Sequence, residues 1–143
     1  MGKEIFLKIN FKLMILLFVF CSLLAHSGQK SKEEKFLFHY PILKVNKVLD
    51  GDTFSADFSL GFNLFFKNEK IRLLGCDAQE LKTPKGPEAK KFTQDFLSTG
   101  SLVLITFGER DSFGRILATV EKDGIQLDDA LTSAGLTTGR FRE

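Results

Sequence analysis

Short runs of alternating apolar and polar residues begin near Pro41 and recur along the chain, a pattern typical of β-strands. Such runs cover residues 42–48, 54–58, 71–74, 101–107 and 116–120, and a further phenylalanine-rich stretch covers 59–66. The Asp50-Gly51 pair between the first two runs predicts a hairpin. Residues 67–70 are predicted to form the turn before the third run.

Two segments show helical spacing instead. Residues 86–99 carry apolar side chains on one face, with Pro87 in the first turn, where its missing N–H costs nothing. Residues 125–136 repeat the pattern and end near Gly135. Because strands and helices do not alternate along the chain, we expect an α+β fold built on a closed, five-stranded antiparallel barrel. A helix between the third and fourth strands is typical of an OB-type barrel.

The first 27 residues do not follow this pattern. Residues 1–12 contain three lysines and one glutamate, and residues 13–25 are almost entirely apolar, which is typical of a signal peptide and short for a membrane span. Ala25 and Ser27 are small residues suited to cleavage before Gly28. We therefore expect a secreted or periplasmic protein, or a membrane-anchored one if the leader is not cleaved. The expected divisions are a signal peptide at 1–27, a flexible segment at 28–40 and the folded domain at 41–143.

Charge and histidine content restrict the chemistry. Removing the predicted leader would leave 17 basic and 17 acidic residues of the original 20 and 18. A broad basic surface that binds nucleic acid by counterion release is therefore not expected, and a polyanion would be held by a few arginines and a cation. Cys76 and His39 would be the only cysteine and histidine, which disfavours zinc sites and histidine-based catalysis.

The stretch IRLLGCDAQE, residues 71–80, concentrates the remaining candidates. An apolar strand carries Arg72, breaks at Gly75 and is followed by Asp77 and Glu80. Arg72 and Asp77, five residues apart, would point to opposite faces of a regular strand, but a bend at Gly75 can turn both into one cleft. A guanidinium for a phosphate and carboxylates for a hard cation and a water are the groups that a phosphodiesterase needs.

Four motifs in order resemble the thermonuclease family, typified by staphylococcal nuclease. They are VLDGDT at 48–53, IRLL at 71–74 with the two acids that follow, GPEA at 86–89 and DSFGR at 111–115. The resemblance extends from about Ile42 to Leu136 and implies an OB-fold enzyme that cleaves DNA and RNA with Ca²⁺. We expect a monomer that acts on single-stranded or unpaired nucleic acid and has no stable membrane association after leader cleavage.

By position in these motifs, the resemblance implies that the carboxylates of Asp52 and Asp77 and the main-chain carbonyl of Ala78 bind calcium. Calcium suits such oxygen ligands of flexible geometry, whereas zinc would require histidine or cysteine. The resemblance further implies that Glu80 holds the attacking water.

It also implies that Arg72 and Arg115 bind the scissile phosphate, a role for which the planar guanidinium is suited because it meets two oxygens at once. The sequence departs from the family at Ser112 and Phe113, where the family has a lysine and a tyrosine against a terminal phosphate.

Further departures are Ala78-Gln79 in place of Thr-Pro and Phe141 in place of a tyrosine beside the base. We also expect the family's third, C-terminal helix to be absent.

Taken singly, each motif is more often a plain turn or a solvated charge, and only their joint occurrence favours a nuclease. The alternative is a non-catalytic OB-fold module that binds single-stranded nucleic acid without cutting it. A third possibility, an exported structural domain, predicts that none of these charges matters.

Overall fold

A computed structural model describes residues 35–140 of the 143-residue chain. The predicted signal peptide, the first part of the predicted flexible segment and Phe141 lie outside the described residues. No helix within 35–140 is long and apolar enough to cross a membrane.

The described residues form strands and helices in an order close to the predicted one. The elements are β1 Phe38–Val48, β2 Thr53–Gly61, β3 Leu64–Leu73, β4 Cys76–Ala78, α1 Gly86–Leu97, β5 Leu102–Thr106, β6 Ile116–Lys122, β7 Ile125–Gln126, α2 Leu127–Ser133 and β8 Thr137–Arg140.

Strands β1, β2, β3, β5 and β6 close into a barrel. β1 pairs with β2 through its second half and with β5 through its first residues, so it belongs to both sides of the barrel. The circle closes where β3 runs parallel to β6, from Ile71 opposite Ile116 to Leu73 opposite Ala118. The predicted five-stranded OB-type barrel with two helices is confirmed. The one difference from the fully antiparallel prediction is the pairing of β3 with β6. These two strands run in the same direction because α1 and β5 lie between them in the chain.

Alternation within the strands supplies the core of the barrel. Phe54 and Phe58 of β2 are fully buried and meet side chains from β3, β5 and β6. Helix α1 buries Ala89, Thr93 and Leu97, and α2 buries Leu127 and Leu131. The helices thus lie against the barrel on apolar faces, as their spacing predicts.

Two strand boundaries differ from the predicted ones. β1 begins at Phe38, so the last three residues of the predicted flexible segment belong to the barrel, paired with β5.

The turn predicted at residues 67–70 lies instead at Phe62 and Asn63, which both adopt positive φ, 49° and 65°. Positive φ at both central residues defines a two-residue type I′ hairpin. Residues 67–70 are part of β3, where a bulge at Asn68 is held by its N–H donating to Asp57 Oδ1 at 2.7 Å.

The C-terminal part of the described chain also differs. The predicted helix at 125–136 is shorter, because Ile125 and Gln126 pair with β6 before the helix begins at Leu127. The residues after Leu136 form β8, which pairs with β4 in a separate two-stranded sheet. No sequence pattern predicts this pairing, which fixes β4 next to the candidate site.

Candidate active site

Asp52 lies at the end of a tight loop between β1 and β2. The N–H groups of Leu49 and Asp50 both donate to the carbonyl of Thr53, at 2.9 and 3.2 Å. The N–H of Asp52 donates to Asp50 Oδ1 at 3.1 Å. These bonds hold the loop closed and leave the side chain of Asp52 buried, with the residue 3% exposed.

Gly51 packs this loop against its neighbours. A Cβ at this position would lie 2.6 Å from the Cβ of Ala78 and 2.9 Å from that of Ala89, so a side chain does not fit. Its carbonyl accepts a 2.6 Å hydrogen bond from Thr93 Oγ1 of α1. The loop that carries Asp52 is therefore fixed to both β4 and α1.

The carboxylate of Asp52 has partners on both oxygens. Oδ2 accepts a hydrogen bond from the N–H of Ala78 at 2.7 Å. Oδ1 accepts one from Thr53 Oγ1 at 3.0 Å and forms an ion pair with Arg72. A buried carboxylate is stabilised only by such partners, so Asp52 also ties β4 to the barrel.

Arg72 joins the two aspartates. It lies on β3 opposite Thr53, and its guanidinium forms ion pairs with Oδ1 of Asp52 and with Oδ1 of Asp77. β3 ends at Leu73, and Gly75 adopts a positive φ of 97° before β4 begins. The predicted break at Gly75 is present, and it brings Asp77 to the same side of the molecule as Arg72.

Glu80 lies in the loop between β4 and α1, at the mouth of a cleft of about 720 Å³. Its side chain is 65% exposed, and Oε2 lies 2.6 Å from Lys82 Nζ. The hydrogen bond from this ammonium to Glu80 raises the pKa of Lys82. The residues that line the cleft include Asp52, Arg72, Asp77, Ala78, Glu80 and Thr138.

The loop that carries Glu80 is held by a close approach of the helix backbone. A Cβ on Gly86 would lie 2.1 Å from the carbonyl oxygen of Glu80. That carbonyl also accepts hydrogen bonds from the N–H and the Oγ1 of Thr83, at 2.8 and 2.7 Å.

Replacing Gly86 by alanine is expected to displace the loop or the start of α1, because the new methyl group overlaps main-chain atoms. Overpacking of this kind lowers the free energy of unfolding by about 1–3 kcal/mol. Denaturant unfolding measures the effect. Pro87→Ala, at the neighbouring exposed position, is the control and should lower the free energy of unfolding by no more than about 1 kcal/mol, through the greater freedom of the unfolded chain. A Gly86→Ala variant that unfolds like the wild type would show that the start of α1 and the loop that carries Glu80 are not tightly packed.

Arg115 does not line this cleft, but Thr53 connects it to Asp52, which does. Its Nε donates to Asp111 Oδ2 at 2.7 Å and its Nη1 to Thr53 Oγ1 at 3.4 Å. The guanidinium carbon also lies 5.3 Å from the centre of the Phe113 ring. Burial alone would raise the pKa of Asp111, but hydrogen bonds from Arg115 and from the N–H of Phe113 lower it overall.

Of the six predicted site residues, the structure brings five together as lining of one cleft, and it connects the sixth, Arg115, to that cleft. Thr53 is not among the predicted site residues, although it directly follows Asp52. Its hydroxyl group contacts both Asp52 and Arg115. Thr138 also escaped it, and its Oγ1 lies 3.3 Å from the carbonyl of Asp77. Only the unpredicted β4–β8 pairing places Thr138 there.

The donor set fits an oxygen-seeking cation. Asp52 and Asp77 direct one carboxylate oxygen each at a single positively charged group, the guanidinium of Arg72. Within the described residues no cluster of three His, Cys, Asp or Glu side chains could hold a metal. Two carboxylates supplemented by a main-chain carbonyl, such as that of Ala78, suit calcium and do not suit zinc.

Comparison with known proteins identifies the family of this chain. Residues 70–143, about half of the chain, match the family described as staphylococcal nuclease homologue. An uncharacterized endonuclease of Escherichia coli is 33% identical over 107 residues, which are 70% of this chain and 65% of that protein. Endonuclease YncB of Bacillus subtilis (strain 168) is 30% identical over 114 residues, 74% of this chain and 50% of the relative.

The thermonuclease of Staphylococcus hyicus is 31% identical over 106 residues, 68% of this chain and 59% of the relative. The chain therefore spans one half to slightly less than two thirds of the length of these relatives. The predicted family is confirmed, and the chain belongs to the staphylococcal nuclease homologue family.

Proposed function

We propose that this protein is an exported, calcium-dependent nuclease that hydrolyses phosphodiester bonds of DNA, RNA or both. The observation that carries the proposal is the convergence of Asp52 and Asp77 on one cationic group in a cleft that also contains Glu80. The names of the relatives, two endonucleases and a thermonuclease, support the same reaction class.

Asp52, Asp77 and the carbonyl of Ala78 would hold the calcium ion, which when bound would neutralise part of the phosphodiester charge. Glu80 is exposed in the cleft, so its carboxylate can accept a proton from a water molecule.

Arg72, whose two Nη groups contact Asp52 and Asp77, and Arg115 each retain further N–H groups that can donate to phosphate oxygens, which would stabilise the negative charge that develops in the transition state. Asp111 holds Arg115 through its Nε, and this bond leaves one edge of the guanidinium for a substrate. The Asp111 bond therefore orients Arg115 toward Thr53 and the cleft.

Digestion of single-stranded DNA and RNA with calcium, and again with a chelator, tests the proposal. Cleavage should require calcium, and Glu80→Gln should reduce turnover by about 10²-fold or more while changing substrate binding less, because the amide cannot accept the proton. Glu88→Gln, an exposed glutamate in the first turn of α1, is the matched control. Full activity in chelator, or near-normal turnover of the Glu80 variant, would contradict the assignment.

A binding module without cleavage is the second candidate, and one contact favours it. The carboxylate of Glu80 pairs with Lys82 at 2.6 Å, so one of its two oxygens already has a partner and is less accessible to a water molecule. Such a module would bind single-stranded nucleic acid with or without calcium and leave it intact. Cleavage of single-stranded DNA by the wild-type protein separates the two functions, and in a nuclease Lys82→Ala should raise the activity because it frees the paired oxygen of Glu80.

Export belongs to the same proposal and rests on residues 1–27, with a basic start, an apolar core and small residues before Gly28. N-terminal sequencing of the protein recovered outside the cytoplasm should begin near Gly28. We further propose that the enzyme acts as a monomer on single-stranded or unpaired regions of nucleic acid.

A further inference from the structure

The hairpin between β2 and β3 extends beyond the barrel. β1 pairs with β2 only as far as Phe58. The remaining pairs of the hairpin, Ser59 with Phe65 and Gly61 with Leu64, join its own two strands. An isolated two-stranded hairpin is marginally stable in water, so apolar side chains at such a tip are not placed there by the needs of the fold.

The tip, defined as residues 59–66, is apolar and carries no charge in its sequence SLGFNLFF. Phe62 is 99% exposed, and Leu64, Phe65 and Phe66 are also exposed. Phe62 occupies a position of the type I′ turn with a φ of 49°, where Asn or Gly is favoured and a bulky residue is an outlier. A phenylalanine that contacts little of its own protein in a strained position indicates a role outside the fold.

A row of aromatic rings, which passes through the buried Phe58, connects the tip with the start of the described chain. Ring centres lie 5.3 Å apart for Phe66 and Phe58, 5.7 Å for Phe58 and Tyr40, and 5.9 Å for Tyr40 and Phe38. The two residues before Phe38, Phe36 and Leu37, are exposed as well. The row of aromatic rings therefore joins the tip to exposed apolar residues at the start of the described chain.

Basic residues lie near the base of the tip. Lys44 of β1 and Lys67 of β3 lie near Asp57, the residue before Phe58, and Arg110 pairs with Glu69 of β3. Long basic side chains beside an uncharged apolar tip match a lipid interface, in which the apolar residues enter the acyl region and the cations remain at the level of the headgroups.

We propose that the tip of the β2–β3 hairpin inserts into the interface of an anionic lipid bilayer. This contact differs from the sequence-based expectation of a protein without stable membrane association. The cleft lies at the opposite end of the hairpin, where Thr53 pairs with Arg72. Gly61 lies eight positions after Thr53, a distance of about 26 Å at the rise of a β-strand. Insertion of the tip would therefore leave the cleft open to water and to nucleic acid.

Tryptophan fluorescence tests the contact in the full chain, because the sequence contains no tryptophan. Phe62→Trp introduces one probe at the tip, and Phe113→Trp introduces one at another highly exposed phenylalanine, next to Arg115. With vesicles of phosphatidylglycerol and phosphatidylcholine, emission from the tip variant should shift to the blue and be quenched by brominated lipids. Emission from the Phe113→Trp variant should not change.

Quenching of both probes, or of neither, would overturn the proposal, because it would mean general adsorption or no insertion. A blue shift of the tip probe that grows with protein concentration in the absence of vesicles would overturn it in favour of a second copy of the chain as the occupant. Phe62→Ser should weaken the partitioning of the protein into the vesicles by about tenfold, because the transfer of one phenylalanine side chain out of water is lost. Cleavage of soluble nucleic acid by this variant should stay normal, so the test is independent of the proposed nuclease activity.

Discussion

Replacing Arg72 by alanine is expected to lower the rate of phosphodiester hydrolysis by about 10²–10³-fold while making calcium binding tighter. The loss of rate follows from removing a donor to the charge that develops on the phosphate, which is worth about 3–4 kcal/mol in comparable sites. The gain in affinity follows because the guanidinium pairs with both Asp52 and Asp77 and so competes with the ion. Removing a like charge at this range should tighten binding by about tenfold after solvent screening.

The opposite directions of these two effects make the variant informative. Calorimetric titration with calcium gives the affinity, and single-turnover cleavage gives the rate. Lys91→Ala is the control, because Lys91 is an exposed residue of α1 that pairs with Asp95 away from the cleft. Weaker calcium binding in the Arg72 variant would show that the two carboxylates are not the metal ligands.

Replacing Asp52 and Asp77 singly by asparagine is expected to abolish activity in both variants but to destabilise the fold in only one. Asp52 is buried and accepts hydrogen bonds from the N–H of Ala78 and from Thr53 Oγ1, as well as pairing with Arg72. An asparagine there turns one acceptor into a donor against existing donors, which should cost about 3 kcal/mol.

The side chain of Asp77 is 42% exposed, so water can replace its lost contact with Arg72. Asp77→Asn should therefore cost about 1 kcal/mol or less. Denaturant unfolding and calcium-dependent cleavage, measured on both variants, separate the two contributions. Asp95→Asn, an exposed aspartate of α1, is the matched control. Equal stability of the two site variants would contradict the structural role of Asp52, and residual calcium-dependent cleavage in either would contradict its role as a ligand.

Local patterns in the sequence were sufficient for most elements of the barrel. Alternation and helical spacing predict the strands and both helices, because burial on one face requires those periods. The Asp50-Gly51 pair predicts the β1–β2 hairpin, although Gly51 is needed there because a Cβ would overlap Ala78 and Ala89 and not for a positive φ. Gly75 predicts the break after β3, where it does adopt a positive φ. The hairpin turn at Phe62-Asn63 escaped prediction, since a phenylalanine at positive φ contradicts the usual preference.

The family, the closed barrel and the charged candidates can all be predicted from local sequence patterns. How those candidates combine depends on contacts between distant parts of the chain. Arg72 pairs with both aspartates, and the N–H of Ala78 donates to Asp52, 26 positions away. The pairing of β4 with β8 brings Thr138 to Asp77, 61 positions apart. Contacts at such separations depend on the closure of the barrel and leave no periodic signal in the chain, because they are set by packing between elements and not within one.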